Sequence, residues 1–167
     1  MRYQSDNPAD LALDIERQTE ELKRAQNLYD IFVRTIDLAG DLTIAGREAD
    51  AITLLEFYAD SPVLDTAAHT DVAWFYLNYA TASQYAGMPE QAEKYFRQAG
   101  SFVEKHELTE VQHYVYHHYG RFLVEQRQYE RAEAYFRQAL QIRIKLSDAR
   151  AANTQQALDT LSVLLVQ

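Results

Sequence analysis

The 167-residue chain contains no cysteine. Disulfides, thiolate nucleophiles and cysteine-based zinc sites are therefore excluded. Glycine and proline are scarce, at five and three, so few breakers interrupt long helices. No run of 18 apolar residues occurs, and no membrane-spanning helix is expected. The first residues, Met1 to Asp6, lack the apolar core of a signal peptide. By elimination the expectation is a cytoplasmic bacterial protein. Basic residues are outnumbered 16 to 25, a net charge of −9. A nucleic-acid surface needs Lys and Arg to displace counterions from phosphate, so no nucleic-acid partner is expected. Val/Ile alternation is weak, which predicts essentially no sheet. There is no glycine-rich phosphate loop and no nucleophile elbow. The chain reads as a non-enzyme with no catalytic residue, no metal site and no cofactor.

What is present is a repeat. Tyr79-Ala80 followed by Gln91-Ala92-Glu93-Lys94-Tyr95-Phe96-Arg97-Gln98-Ala99 returns 40 residues later. The second copy is Tyr119-Gly120 followed by Arg131-Ala132-Glu133-Ala134-Tyr135-Phe136-Arg137-Gln138-Ala139. Self-similarity at such a period is the mark of a solenoid, in which each unit buries its apolar face only by stacking on the next. Apolar residues make up 47% of the chain, enough for a continuous core. The charge is lopsided: residues 1–70 carry six basic and fourteen acidic side chains, a net of −8. Such a stretch is either a solvated acidic face or a surface that attracts a basic partner.

Helical periodicity runs through the whole chain. Asp6-Asn7-Pro8 marks a helix start, a capping side chain with Pro in the first turn. Leu11, Ile15, Leu22, Ala25, Leu28, Phe32, Ile36 and Ala39 form one stripe, either one long helix or two joined near Arg24, broken between Gly40 and Gly46. Ala51, Ile52, Leu55 and Tyr58 share the face of a helix ended by Ser61-Pro62. A loop is expected from Pro62 to Ala68, then a helix capped by Thr70-Asp71 and closed by Ala86-Gly87. Met88-Pro89-Glu90 opens its partner. A helix capped by Thr109, one from Tyr129, and a last segment over 149–166 complete about seven. Arg127, Arg131, Arg137 and Arg143 are expected on a solvated face with Glu130 and Glu133.

These residues resemble the tetratricopeptide repeat. Tyr116, Tyr119-Gly120, Leu123, Ala132, Phe136 and Ala139 match its two-helix signature. So do Tyr76, Tyr79-Ala80, Ala92, Phe96 and Ala99, with Ser83 at a position that is usually apolar. A weaker unit reads Leu38-Ala39, Leu42, Ala51, Leu55 and Tyr58. The period of 40 exceeds the family's usual 34 and is similar to the long variant of kinesin light chains and bacterial regulators. The resemblance implies an all-α fold, a right-handed superhelix of antiparallel helix pairs. One domain, 1–167, would hold a weak repeat at about 32–65, clear repeats at about 73–106 and 113–146, and a capping helix at about 149–166.

The family's activity is binding of a protein or peptide along the concave face lined by first helices. Carried over by position, that face comprises Trp74, Asn78, Thr81, Tyr85, Tyr114, His117, His118, Arg121 and Glu125. The carboxylate clamp of chaperone-type relatives retains one member here, Asn78; Ile36, Gly40, Tyr114 and His118 replace the others. His113 and His117 stand four apart on one helical face, a spacing open to a metal; neutral imidazoles lining a groove are the preferred reading. As titratable groups they would tune binding between pH 5 and 7. The alternative function is self-association, as a homodimer through Leu161, Leu164 and Leu165 of the apolar last segment. A third option is the sensor part of a peptide-responsive regulator.

Overall fold

The computed structural model describes residues 7–165, with side chains through 164. Among these residues the chain forms nine α-helices and no strand. They are α1 (Pro8–Arg24), α2 (Leu28–Ile44), α3 (Glu48–Glu56), α4 (Val63–Thr66), α5 (His69–Tyr85), α6 (Pro89–Lys105), α7 (Thr109–Glu125), α8 (Tyr129–Lys145) and α9 (Ala151–Leu165). No helix among the described residues is long and apolar enough to cross a membrane.

The 40-residue period has a simple mechanical origin. Helices α5 to α8 are each 17 residues long and are separated by three-residue turns, at 86–88, 106–108 and 126–128. The extra length of the repeat thus lies in its helices, not its links. One turn geometry recurs at five junctions. In each, the second residue after the helix takes positive φ: Gly46, Gly87, Glu107, Arg127 and Ser147. The next backbone N–H then reaches back to the last helical turn, as in Arg47 to the Leu42 carbonyl (2.8 Å) and Gln128 to the Leu123 carbonyl (2.8 Å). This closure satisfies carbonyls the helix end would leave bare.

Local sequence sets the starts of the first two helices. Asn7 and Asn27 accept hydrogen bonds from the backbone N–H groups of Asp10 and Asp30, so the long N-terminal stripe is two helices joined at 25–27. Three expectations change. The 62–68 loop contains the single turn α4; Thr70-Asp71 and Thr109 lie inside α5 and α7, whose cap residues Ala68 and Leu108 make no side-chain cap bond. The break expected between Gly40 and Gly46 falls at Ala45 and Gly46, where α2 ends. About seven helices becomes nine because the first stripe divides and α4 is added.

The chain divides into two compact units, Met1–Ala99 and Gly100–Gln167. In the first, α2 packs against α1, α3 and α5, and α3 also meets α5. Phe32 is fully buried, with ring centroids 5.2 Å from Tyr58 and 5.8 Å from Phe75. Leu38, Ala39, Leu42, Ala51, Leu55 and Tyr58, the weak repeat of the sequence, are all buried. Ala80 and Ala92 are buried as well, and Tyr79 stacks on Tyr95 at 4.0 Å. Ser83 is tolerated in this core because its hydroxyl donates to the Tyr79 carbonyl (2.7 Å), leaving no orphan polar group. Thr35 and Thr43 do the same with Ile31 and Ala39.

In the second unit α8 packs against α7 and α9. A Cβ on Gly120 would fall 2.8 Å from two ring carbons of Phe136, so only glycine lets that ring lie against α7. Ala132, Phe136 and Ala139 complete the buried stripe of α8. Tyr116 donates to Glu104 (2.6 Å), and Arg131 donates to the Tyr119 hydroxyl (2.8 Å). Ala80, Ala92, Gly120 and Ala132, where close approach is expected, are all buried.

Candidate functional site

In the first unit, the first-helix residues gather around a pocket between α2 and α5. Val33, Ile36 and Asp37 from α2, with Asp71, Trp74 and Asn78 from α5, line about 280 Å3. Asn78 is a half-buried strut: its Nδ2 donates to the Ile36 carbonyl at 2.9 Å. Gly40 makes room for it, since a Cβ there would sit 3.3 Å from that nitrogen. Asp71 accepts from the Tyr29 hydroxyl at 2.5 Å. Burial, followed by the charges of Asp41 and Asp71, pushes the Asp37 carboxyl above its usual range. Trp74, Thr81 and Tyr85 are half-buried, and Thr81 turns its hydroxyl to the Leu77 carbonyl (2.9 Å).

A second pocket, of about 330 Å3, shares the Asp37 wall and is lined also by Arg17, Gln18, Glu21, Arg34 and Asp41. Its two arginines are paired. Arg17 meets Asp14 and Glu21, and Arg34 meets Glu21 and Asp30. Gln18 donates to Asp41 (2.7 Å), while its buried Oε1 receives no hydrogen bond among the described residues.

The second unit holds a buried polar cluster that the sequence reading did not anticipate. Arg143 is 3% exposed, not on the solvated face expected for it. Its Nε donates to His113 Nδ1 (3.2 Å), and one terminal nitrogen donates to Thr154 Oγ1 (2.5 Å) and the Arg150 carbonyl (3.2 Å). His113 Nε2 faces Asp148 at 3.7 Å. Asp148 in turn pairs with Arg150, whose guanidinium lies 4.3 Å from the Tyr114 ring centroid. The Thr154 hydroxyl also lies 3.2 Å from His117 Nδ1. A charge is tolerated in such a place only when hydrogen bonds offset its burial, and here Nε and one terminal nitrogen are bonded. The expectation of a solvated face holds for Arg137, which pairs with Glu133, and for exposed Arg127 and Arg131.

A signal for Arg143 was present. It follows Ala132, Phe136 and Ala139 at helical spacing, on the buried stripe of α8. Forty residues earlier the same position is Val103, fully buried. His113 and His117 likewise stand where the preceding repeat has the buried Ala73 and Leu77. Core positions of one repeat are polar in the next.

Burial governs the imidazoles. His113 is held down to about 4, His117 to about 2 and His118 to about 3, in each case first by burial and then by neighbouring cations. All three stay neutral across pH 5–7, which corrects the expectation that they tune binding there. Among the described residues no three His, Asp or Glu side chains converge as metal ligands. His118 and Arg121 are half-buried and Glu125 is exposed. At the C-terminal end Leu161 is 1% exposed and belongs to the core of its unit. Leu164 is half-buried, and the side chain of Leu165 lies outside the described residues.

Comparison with protein families matches residues 113–143 to the tetratricopeptide repeat. No curated protein and no solved structure gives a match. The fold is thus all-α and tetratricopeptide-like, with the match on the α7–α8 pair. Helical repeats of this type commonly mediate protein–protein interaction.

Proposed function

We propose that the chain is a non-enzymatic scaffold that binds a protein or an extended peptide through the faces of its first helices. The observation that carries this reading is the composition of those faces. At equivalent positions, α5 offers Trp74, Asn78, Thr81 and Tyr85, while α7 offers Tyr114, His118, Arg121 and Glu125. Most are half-buried side chains with both contact area and polar atoms, the mixture that recognition surfaces favour. The second helices instead present intrahelical ion pairs such as Arg97–Glu93 and Arg137–Glu133, which hold little energy in reserve for a partner. The test is selection of peptides from a random display library, followed by hydrogen exchange of the complex. Protection over α5 or α7 is expected. No enriched peptide, or protection confined to α6 and α8, refutes the reading.

A further inference from the structure

The pocket between α2 and α5 differs from its neighbour in one respect that decides its ligand. Its lining contains two carboxylates and no cationic side chain. The adjoining pocket balances its acids with Arg17 and Arg34. Among the described residues Asp37, which separates the two, has neither an ion pair nor a hydrogen bond. Its neighbours Asp41 and Asp71 repel it, and the attraction of Arg34 is the smallest of the influences on it. Beyond the two acids the lining is the apolar or aromatic Val33, Ile36 and half-buried Trp74, together with Asn78, whose amide nitrogen is held by the Ile36 carbonyl. The volume, about 280 Å3, falls below the roughly 300–1,000 Å3 of small-molecule sites and suits one long side chain.

We propose that this pocket takes an arginine side chain of the bound segment, with its guanidinium between the Asp37 and Asp71 carboxylates and the Trp74 indole. The inference rests on the scaffold reading above and specifies its partner: a segment carrying a basic residue. Charge complementarity selects a cation, since an incoming positive charge relieves the mutual repulsion of Asp37, Asp41 and Asp71. The flat indole and paired acceptors select guanidinium over ammonium. Guanidinium is planar, weakly hydrated, and able both to stack and to fork two hydrogen bonds. The net charge of −8 over residues 1–70 raises the local concentration of such a partner.

The chain supplies its own reporter, because Trp74 is its single tryptophan. The probe is tetra-arginine, with tetra-citrulline as the uncharged isostere and tetra-lysine as the alternative cation. Tetra-arginine is expected to shift Trp74 emission saturably, tetra-lysine to bind more weakly, and tetra-citrulline to do nothing at the same concentrations. Asp37→Asn removes a charge from an exposed residue without a partner, leaves the fold intact, and is expected to weaken binding about fivefold. Glu130→Gln, an equal change in net charge on α8, is expected to leave affinity within about twofold. An unmoved emission, equal binding of the citrulline peptide, or equal losses for the two variants overturns the proposal. So does a library-selected peptide that protects α5 but carries no basic residue, an outcome that leaves the scaffold reading standing.

Discussion

Gly120→Ala is the sharpest test of how the repeats are packed. In an ordinary helix interior this change stabilises by about 1 kcal/mol, because glycine gives up more backbone entropy on folding. Here the added methyl meets three ring carbons of Phe136, two at 2.8 Å and one at 3.1 Å. Carbon atoms pack at about 3.5–4.0 Å, so the ring must retreat by most of an ångström. Phe136 is 1% exposed, and its stripe neighbours Ala132 and Ala139 are fully buried, so no room is available. Overpacking of this kind costs about 1–3 kcal/mol, and the triple overlap puts it at the upper end. The net expectation is a loss of about 2 kcal/mol, a fall in melting temperature of about 6 °C for a chain of this size. Gly100→Ala is the matched control, since a methyl there meets nothing within 4 Å. It is expected to raise the melting temperature by about 3 °C. Thermal unfolding followed by circular dichroism reads both. In a double-mutant cycle Phe136→Leu is expected to recover at least about 1 kcal/mol of the Gly120→Ala loss. A Gly120→Ala protein as stable as the parent would refute the close-approach argument for the whole repeat.

Two further predictions concern the buried cluster. Arg143→Ala strands His113 Nδ1 and Thr154 Oγ1 without their donor, while the Arg150 carbonyl keeps the Thr154 backbone N–H, and is expected to cost about 3 kcal/mol. Arg143→Lys, with a point charge in place of the fork, is expected to recover less than half; urea denaturation gives both values, and a loss under about 1 kcal/mol would contradict the structural role. Protonation supplies the second: an unfolded imidazole takes its proton near pH 6.5, whereas His113 does so only near pH 4 in the fold. The unfolded chain therefore binds more protons between these values, and stability, complete above about pH 7, falls as the pH drops toward 4. From pH 7 to 5, His113 contributes a loss of about 2 kcal/mol. His113→Gln is expected to flatten the pH dependence, and an unchanged slope in that variant would count against the burial argument.

The sequence by itself determined the helical class, the 40-residue period and the packing pairs. These follow from short-range rules: 3.6-residue periodicity, a capped start before Pro8, Pro89 in a first turn, and small residues repeated at one register. Such signals sit within a few residues of one another and do not depend on what lies across the core. Tertiary structure alone decided where the polar residues went. Arg143 reads as a surface charge until its position on the α8 stripe is set against His113, 30 residues away. Asn78 reads only as a groove residue in the sequence, and the bond from its amide nitrogen to the α2 backbone, 42 residues away, appears only in the fold. The pocket likewise arises only when α2 and α5 bring Asp37 and Asp71 to one rim. An apolar side chain is driven to the core whatever its partners, by its removal from water. A polar one can be buried or exposed at nearly equal free energy, and the balance is tipped by hydrogen bonds that exist only once the chain has folded.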